Sequence, residues 1–312
     1  AGGEYNVAIG NYTLDALTSG DNNVAIGYNA GTAVTTGGYN TAIGNTALAS
    51  NTTASDNVAV GGDALNANTE GASNVAVGVG ALVANTTASN NTAVGKRALY
   101  ANTTGEVNSA FGALALAANT VGFGNTAVGK NALTVNITGD NNVALGHQAL
   151  DNADAENDNL AIGRDALGGA VAGGEYNVAI GNYSLDALTS GDGNLAIGYQ
   201  AATALTSGGL NTVIGYQAYA AGNGGRNVIM GSNAADAATT CDNNVIIGDG
   251  ASGIGVLTGN ENVVIGSDAG EDMTSANNNV IIGYQAGEEL TTGEFNILIG
   301  RDAGEQMTGG GN

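Results

Sequence analysis

Residues 23–39 read NVAIGYNAGTAVTTGGY, and the same pattern starts again at Asn40. An asparagine followed four residues later by glycine occurs eighteen times along the 312 residues. Of the seventeen intervals between these asparagines, fourteen are 17 residues long, two are 18 and one is 16. A fixed period of this kind indicates a repeat protein. The asparagines are Asn6, Asn23, Asn40, Asn57, Asn74, Asn91, Asn108, Asn125, Asn142, Asn159, Asn177, Asn194, Asn211, Asn227, Asn244, Asn262, Asn279 and Asn296.

Each repeat contains two short apolar segments, for example residues 24–26 and 47–48, separated by glycine and small polar residues. Segments of three or four residues with these boundaries are typical of β-strands and turns. A helix is disfavoured because the chain has 53 glycines, each of which costs about 1 kcal/mol in a helix interior. We call each repeat a coil and number its positions as columns 1 to 17 from the asparagine, so that coil 1 begins at Asn6.

A 17-residue unit of this composition cannot bury its apolar side alone, so successive coils must stack and pair their strands in parallel. The sequence therefore predicts an all-β, parallel β-solenoid of about eighteen coils. Strand spacing of about 4.8 Å would give it the shape of a rod. Because composition does not shift and no linker occurs, we expect residues 1–312 to form a single repeat domain.

Strand alternation divides the columns between two faces. Column 4 is always large and apolar, as in Ile9 and Val60, so we predict that columns 2 and 4 point into the coil and column 3 points outward. Column 3 is alanine in coils 1 to 12 and Val, Ile or Leu from Val213 onward, which predicts a change of packing there. An outward column of small apolar residues indicates a contact with another chain or with a second layer of the same coil. The interface candidates are Ala8, Ala25, Ala42, Ala59, Ala76 and Ala93.

Columns 1 and 5 predict a structural ladder rather than a catalytic site, since catalysis would require the same residue to act eighteen times. Stacked asparagine amides can donate and accept hydrogen bonds along a column. Glycine in column 5 suits a positive φ or a close backbone approach at a corner. The ladder candidates are Asn6, Asn23, Asn40, Asn57, Asn74, Asn91, Gly10, Gly27, Gly44 and Gly61.

Residues 22–30, Asn-Asn-Val-Ala-Ile-Gly-Tyr-Asn-Ala, resemble the head repeats of YadA-like trimeric autotransporter adhesins. Residues 35–48 resemble still more closely the repeat arrays of phage tail fibres and bacterial surface proteins that end in an endosialidase-type chaperone. The resemblance implies a left-handed β-roll, usually three chains around one axis, in an extracellular, cell-surface or virion fibre. The 17-residue coil departs from the adhesin heads, whose coils are typically shorter.

Residues 1–30 and 172–201 differ at four of thirty positions, which suggests that 1–171 is duplicated in 172–312. Neither end of the sequence carries a helix, a proline or a charged plug of the kind that blunts a solenoid edge. Uncapped strands are templates for further pairing. The chain is therefore expected to be either a segment of a longer fibre or a subunit that polymerises end to end.

The remaining residues give little support to an enzyme, a cofactor or a metal site. A net charge of −22 argues against nucleic acid, and no apolar run approaches the 18 residues of a membrane span. His147 is expected to be an exposed turn residue and Cys241 a small filler. The acidic cluster Asp154, Glu156 and Asp158 is a weak calcium candidate, because the sixth position of the matching loop is Asn159 rather than glycine.

Two further columns leave alternatives open. Threonine occupies column 13 in thirteen coils and predicts a hydroxyl ladder that closes the turn, rather than an ice-binding face. Tyrosines near the corner, Tyr28, Tyr199, Tyr216 and Tyr284, either shield the corner or form a sugar-binding stripe. We therefore expect a structural or adhesive protein whose partners are its own copies, as a homotrimer or an end-to-end polymer, and a receptor or glycan.

Overall fold

The computed structural model describes residues 2–169 and 173–310, which divide into two compact units, one ending at Asn157 and the other beginning at Asp158. These residues form eighteen three-residue strands joined by turns. They contain no helix, and so none that could cross a membrane. The first unit holds β1 Val7–Ile9, β2 Val24–Ile26, β3 Thr41–Ile43, β4 Val58–Val60, β5 Val75–Val77, β6 Thr92–Val94, β7 Ser109–Phe111, β8 Thr126–Val128 and β9 Val143–Leu145. The second unit holds β10 Leu160–Ile162, β11 Val178–Ile180, β12 Leu195–Ile197, β13 Thr212–Ile214, β14 Val228–Met230, β15 Val245–Ile247, β16 Val263–Ile265, β17 Val280–Ile282 and β18 Ile297–Ile299.

Within each unit, every strand pairs in parallel with the next strand along the chain. Val24, for example, lies opposite Thr41, and Val178 lies opposite Leu195, so that equivalent columns align. Columns 2 and 4 are mostly β-branched, which suits short strands. The prediction of an all-β parallel β-solenoid with 17-residue spacing is confirmed.

The other wall of each coil consists of turns that also bind both neighbours. Asp63 in column 7 donates its N–H to Asn45 O of the preceding coil at 2.9 Å, and Leu65 in column 9 donates to Ala81 O of the following coil at 3.0 Å. Both residues have positive φ, 59° and 51°, a conformation that is costly for residues other than glycine. The paired backbone bonds on both sides offset that cost.

The core of each coil is narrow, and the strands contribute only their middle residue to it. In β2 to β6 the column 3 alanine is buried, while the residues of columns 2 and 4 are only half-buried. The prediction that columns 2 and 4 fill the coil is therefore wrong. The period-2 alternation is correct, but the two walls lie so close together that the small residue faces inward. The space is filled from the opposite wall by column 9, where Leu65 and Leu82 are fully buried.

Candidate functional site

The asparagines of column 1 tie each coil to the next through their side chains. In the first unit, the backbone N–H of each such asparagine donates to the Oδ1 of the one before it, at 2.8 Å for Asn23 to Asn6 and 3.0 Å for Asn91 to Asn74. The Nδ2 group donates to the column 15 carbonyl of the same coil, as from Asn57 to Gly71 at 2.9 Å. From Asn23 to Asn91 these side chains are buried, so they hold the backbone and are closed to a ligand.

The glycines of column 5 stand where the chain turns out of the strand. Gly10, Gly27, Gly44 and Gly61 have φ of 131°, 136°, 139° and 132°. A Cβ at Gly10 would lie 2.3 Å from the carbonyl oxygen of Gly27. Both the dihedral angle and the close approach of the next coil therefore require glycine here.

The alanines of column 3 do not form an outer surface. Ala25, Ala59, Ala76 and Ala93 have no exposed area and Ala42 has 2%, whereas Ala8, in the first coil, is exposed. The prediction that this column faces outward is wrong; of its two alternative contacts, the structure shows the one within the same coil, because the opposite wall of that coil covers the alanines. The enlargement of column 3 after Asn211 likewise changes the interior, where Ile229, Ile246 and Ile281 are fully buried.

A second asparagine ladder, which the sequence analysis missed, runs through column 12 of coils 3 to 8. Asn68 Nδ2 donates to Asn51 Oδ1 at 3.1 Å and to Gly71 O at 2.9 Å. The ladder ends at Asn136, whose buried Oδ1 has no hydrogen-bond partner, since the next coil has Ala153 in this column. In the sequence, the signal for this ladder was the recurrence of asparagine at 17-residue spacing. The ladder members are Asn51, Asn68, Asn85, Asn102, Asn119 and Asn136.

The acidic residues proposed as a weak calcium candidate are not arranged as ligands. Glu156 is 5% exposed, and its Oε2 accepts the backbone N–H groups of Asp154 at 2.9 Å and Ala155 at 3.1 Å. Asp158 lies at the start of the second unit. Within residues 2–169 and 173–310, no group of three acidic, histidine or cysteine side chains is placed to hold a metal ion.

One irregularity of the second unit is its 16-residue coil, 211–226. In complete coils, two consecutive backbone N–H groups donate to a column 13 carbonyl of the next coil, as Thr189 and Ser190 do to Thr206 O at 2.8 and 3.1 Å. In the short coil the side chain of Asn223 replaces that carbonyl. Its Oδ1 accepts the N–H of Thr206 at 2.8 Å and of Ser207 at 2.9 Å.

The missing residue leaves a shallow groove of about 410 Å³ on the surface of the second unit. The groove combines one guanidinium, one carboxylate, two hydroxyls and the side chain of Leu210, which is 61% exposed. Such a mixture can bind a small polar ligand, and this groove is the candidate functional site. Its lining residues are Ser190, Gly191, Asp192, Ser207, Gly209, Leu210, Gly225 and Arg226.

A buried polar cluster supports the short coil from inside. The Tyr219 hydroxyl accepts the N–H of Gly224 at 2.8 Å and lies 3.7 Å from Cys241 Sγ. Glycine is required at position 222, where a Cβ would lie 2.1 Å from the Tyr219 ring. Burial raises the pKa of Cys241 to about 11 and also raises the pKa of Tyr219, to which the adjacent Cys241 adds. The thiol is therefore neutral at pH 7, in agreement with its interpretation as a filler.

The corner aromatics are exposed and partly stacked. In the second unit, the rings of Tyr199 and Tyr216 are 5.6 Å apart and nearly parallel, and Tyr183 meets Tyr199 edge to face at 6.1 Å. Tyr28 meets Tyr12 edge to face, and Arg301 lies over the ring of Tyr284. Because stacked rings cover each other's faces, this arrangement favours shielding of the corner. His147 is exposed, as predicted.

Comparison with known proteins adds no further assignment: the sequence matches no family model and no curated protein.

Proposed function

We propose that this chain is a non-catalytic structural or adhesive segment of an extracellular fibre, and that it associates with copies of itself. The support is the uniform cross-linking within each unit, where strand, turn and asparagine side chains all bond one coil to the next. Such a body is extended by repetition rather than shaped around one cavity. The resemblance to trimeric adhesin and tail-fibre repeats supports the same role and suggests a trimer at a cell surface or virion.

The outer face of the strands is the surface for self-association that the structure favours. Columns 2 and 4 leave aliphatic and aromatic side chains partly exposed there, including Phe111 at 42% and Val128 at 40%. Exposed apolar residues that repeat along one face are a common feature of protein contacts. This face replaces the buried alanine column as the proposed interface.

Light scattering coupled to size exclusion tests this role. We expect a discrete oligomer for the parent chain and a monomer for the double variant Phe111→Glu and Val128→Glu. The matched control carries glutamate at two exposed turn positions, Asn90→Glu and Asn141→Glu, and should keep the oligomer. A monomeric parent chain at all concentrations would contradict the proposal.

End-to-end polymerisation is a second candidate, because each coil pairs with the next through the same columns. Val7 and Ile9 of β1 are 44% and 58% exposed, and Ile297 and Ile299 of β18 are 72% and 65% exposed. A parallel strand added at either edge would meet the same column pattern. Electron micrographs at rising concentration should then show growing filaments, which Ile299→Lys should shorten because edge lysines oppose strand pairing. Particles of fixed length would exclude this candidate.

A further inference from the structure

The groove beside the short coil displays backbone N–H groups that side chains cover in many other coils. In column 16, a side-chain oxygen of one coil accepts the backbone N–H of the coil before it in many of the coils. Asp192 Oδ1 accepts from Glu175 at 2.9 Å, and Asp242 Oδ1 accepts from Gly225 at 2.6 Å. In the first unit, Ser55 Oγ accepts from Gly38 at 3.1 Å.

Gly209 and Gly225 interrupt this column at the groove; Gly225 aligns with column 16 because the short coil lacks one residue before Gly224. Gly209 and Gly225 have no side chains, so the backbone N–H groups of Asp192 and Gly209 have no protein acceptor among the described residues. Both groups belong to residues that line the groove. They are equivalent positions in adjacent coils, and the coil spacing sets them about 4.8 Å apart. Adjacent, uncovered N–H groups form a favourable place for an anion.

Arg226 adds a positive charge to the same groove. The second unit contains three arginines. Arg164 and Arg301 form ion pairs with the aspartates that follow them, at 3.0 and 3.3 Å, whereas Arg226 forms none with the residues that the structure describes. Its side chain is exposed on the groove wall. A planar guanidinium with free N–H groups is suited to bidentate binding of a carboxylate.

We propose that this groove binds the carboxylate of an acidic saccharide, a uronic acid residue. The carboxylate would accept hydrogen bonds from Arg226 and from the N–H groups of Asp192 and Gly209. A single negative charge is favoured over a doubly charged phosphate because the chain itself carries −22. The inference rests on the adhesive form of the proposed function, for which it names a ligand class.

The groove also suits the uncharged part of a sugar ring. The hydroxyls of Ser190 and Ser207 can exchange hydrogen bonds with sugar hydroxyls, and Leu210 offers an apolar contact to the ring carbons. The Asp192 carboxylate, already bonded to Glu175 N–H, retains lone pairs for a sugar hydroxyl. The same carboxylate would repel a doubly charged ligand more strongly than a singly charged one.

Titration calorimetry with sodium glucuronate tests the site, and glucose is the neutral counterpart that lacks the carboxylate. We expect glucuronate to bind about tenfold or more tightly than glucose, as is usual for a charge-assisted contact. Arg226→Gln should remove this preference. Arg301→Gln changes the net charge equally and should keep it.

A second variant tests the backbone donors without changing any charge. Gly209→Ser places a hydroxyl where Ser55 stands in the first unit, so that it covers the Asp192 N–H and weakens glucuronate binding. Gly209 does not have a positive φ, and its Cβ would lie 3.0 Å from Asp192 O, as it would at Gly38 from Asp21 O. Gly38→Ser makes the same change in the first unit and should leave binding unaltered.

Three results would overturn the assignment: equal binding of glucose and glucuronate, inorganic phosphate binding as tightly as glucuronate, or unchanged affinity in both Arg226→Gln and Gly209→Ser. Circular dichroism melting of each variant shows whether it is folded. Light scattering on the same samples separates the two proposals. A parent chain that oligomerises but binds no glucuronate lacks the site and keeps the structural role.

Discussion

Coils 3 to 8 and coils 13 to 18 have the same strands but different interiors. In coils 3 to 8, residues 40–141, column 3 is alanine, column 9 is leucine and column 12 is asparagine in every coil. In coils 13 to 18, residues 211–310, column 3 is Val, Ile or Leu, and column 9 is small or glycine except at Tyr219. We call these the alanine region and the aliphatic region.

From coil 14 onward, the larger residue of column 3 is matched by a smaller residue in column 9. In the aliphatic region, a Cβ at Gly287 would lie 3.3 Å from Ile281 Cδ1 and 3.0 Å from Leu298 Cδ1. In the alanine region, Leu65 fills that place opposite Ala59, and both are fully buried. Interiors are packed to near-constant density, so the volume is exchanged between columns.

The two regions also differ in the kind of side chain that occupies column 12. The alanine region buries a chain of amides in which each Nδ2 donates to the amide before it, for example Asn102 to Asn85 at 2.9 Å. The aliphatic region fills the same column with apolar side chains such as Met273 and Leu290, both fully buried. A buried ladder of this kind is stable only while each member has a partner.

The largest expected effect comes from enlarging column 3 in the alanine region. Ala93→Ile should lower the free energy of unfolding by about 3 kcal/mol, because the fully buried site has no spare volume. Adding Leu99→Ala copies the pairing of Ile229 with Ala235 in the aliphatic region and should restore stability to within about 1 kcal/mol of the parent. Urea unfolding measures both. Leu99→Ala alone is the control, and additive losses in the double variant would refute the volume exchange.

A smaller effect should distinguish the middle of the amide ladder from its end. Asn102→Leu leaves the Oδ1 of Asn85 without a donor and the Nδ2 of Asn119 without its amide acceptor, and should cost about 2 kcal/mol. Asn136→Leu breaks a single ladder bond and removes an oxygen that has no partner, so we expect a loss of about 1 kcal/mol or less. Equal losses from urea unfolding would mean that the ladder does not act as a connected chain.

The aliphatic region should be the more sensitive to alkaline pH, since it contains the buried Cys241. The folded pKa of this thiol, about 11, lies above its ordinary value of 9.0. Its contribution to stability is therefore complete below pH 9 and is lost as the pH rises toward 11, by at most about 1.4 kcal/mol per pH unit. The melting temperature should fall over this range, and the fall should be shallower in Cys241→Ala. An identical slope in that variant would show that the thiol does not contribute.

The smallest effect should be the same in both regions. The column 13 hydroxyls donate to the next coil outside the core, Thr103 to Thr120 O at 3.0 Å and Thr274 to Thr291 O at 2.9 Å. Thr103→Val and Thr274→Val should each cost about 0.5–1 kcal/mol. A clear difference between the two losses would show that the regions differ beyond their interiors.

The fold could be predicted from the sequence because the repeat period and the corner glycines of column 5 determine the local structure. A glycine at each corner and a strand of three residues in each coil leave stacking as the remaining way to bury apolar surface. The facing of the strands was not predictable from residue size, since it depends on how close the opposite wall lies. In the sequence, Ala59 resembles a surface contact residue, but in the structure Leu65 covers it.

The groove could not be predicted from the sequence. The 16-residue interval before Asn227 was visible in the sequence. Its consequence depends on Asn223, whose side-chain oxygen accepts the hydrogen bonds that a column 13 backbone carbonyl accepts in other coils. The free donors of Asp192 and Gly209 are backbone groups and leave no signature of their own. They are uncovered because Gly209 and Gly225 have no side chain to accept their hydrogen bonds, which the hydrogen-bond pattern of the structure reveals.

The column 1 asparagines also give each unit a sense of direction. Within each unit, their side-chain oxygens accept from the coil that follows and not from the coil that precedes, as Asn23 does from Asn40. The amide dipoles therefore align along the stack, as peptide dipoles do in a helix. Any coil that continues this ladder must therefore have the same orientation as its neighbour, with its asparagine N–H toward the side-chain oxygen of the coil before it. A coil of the opposite orientation would bring two like groups together and form no such bond.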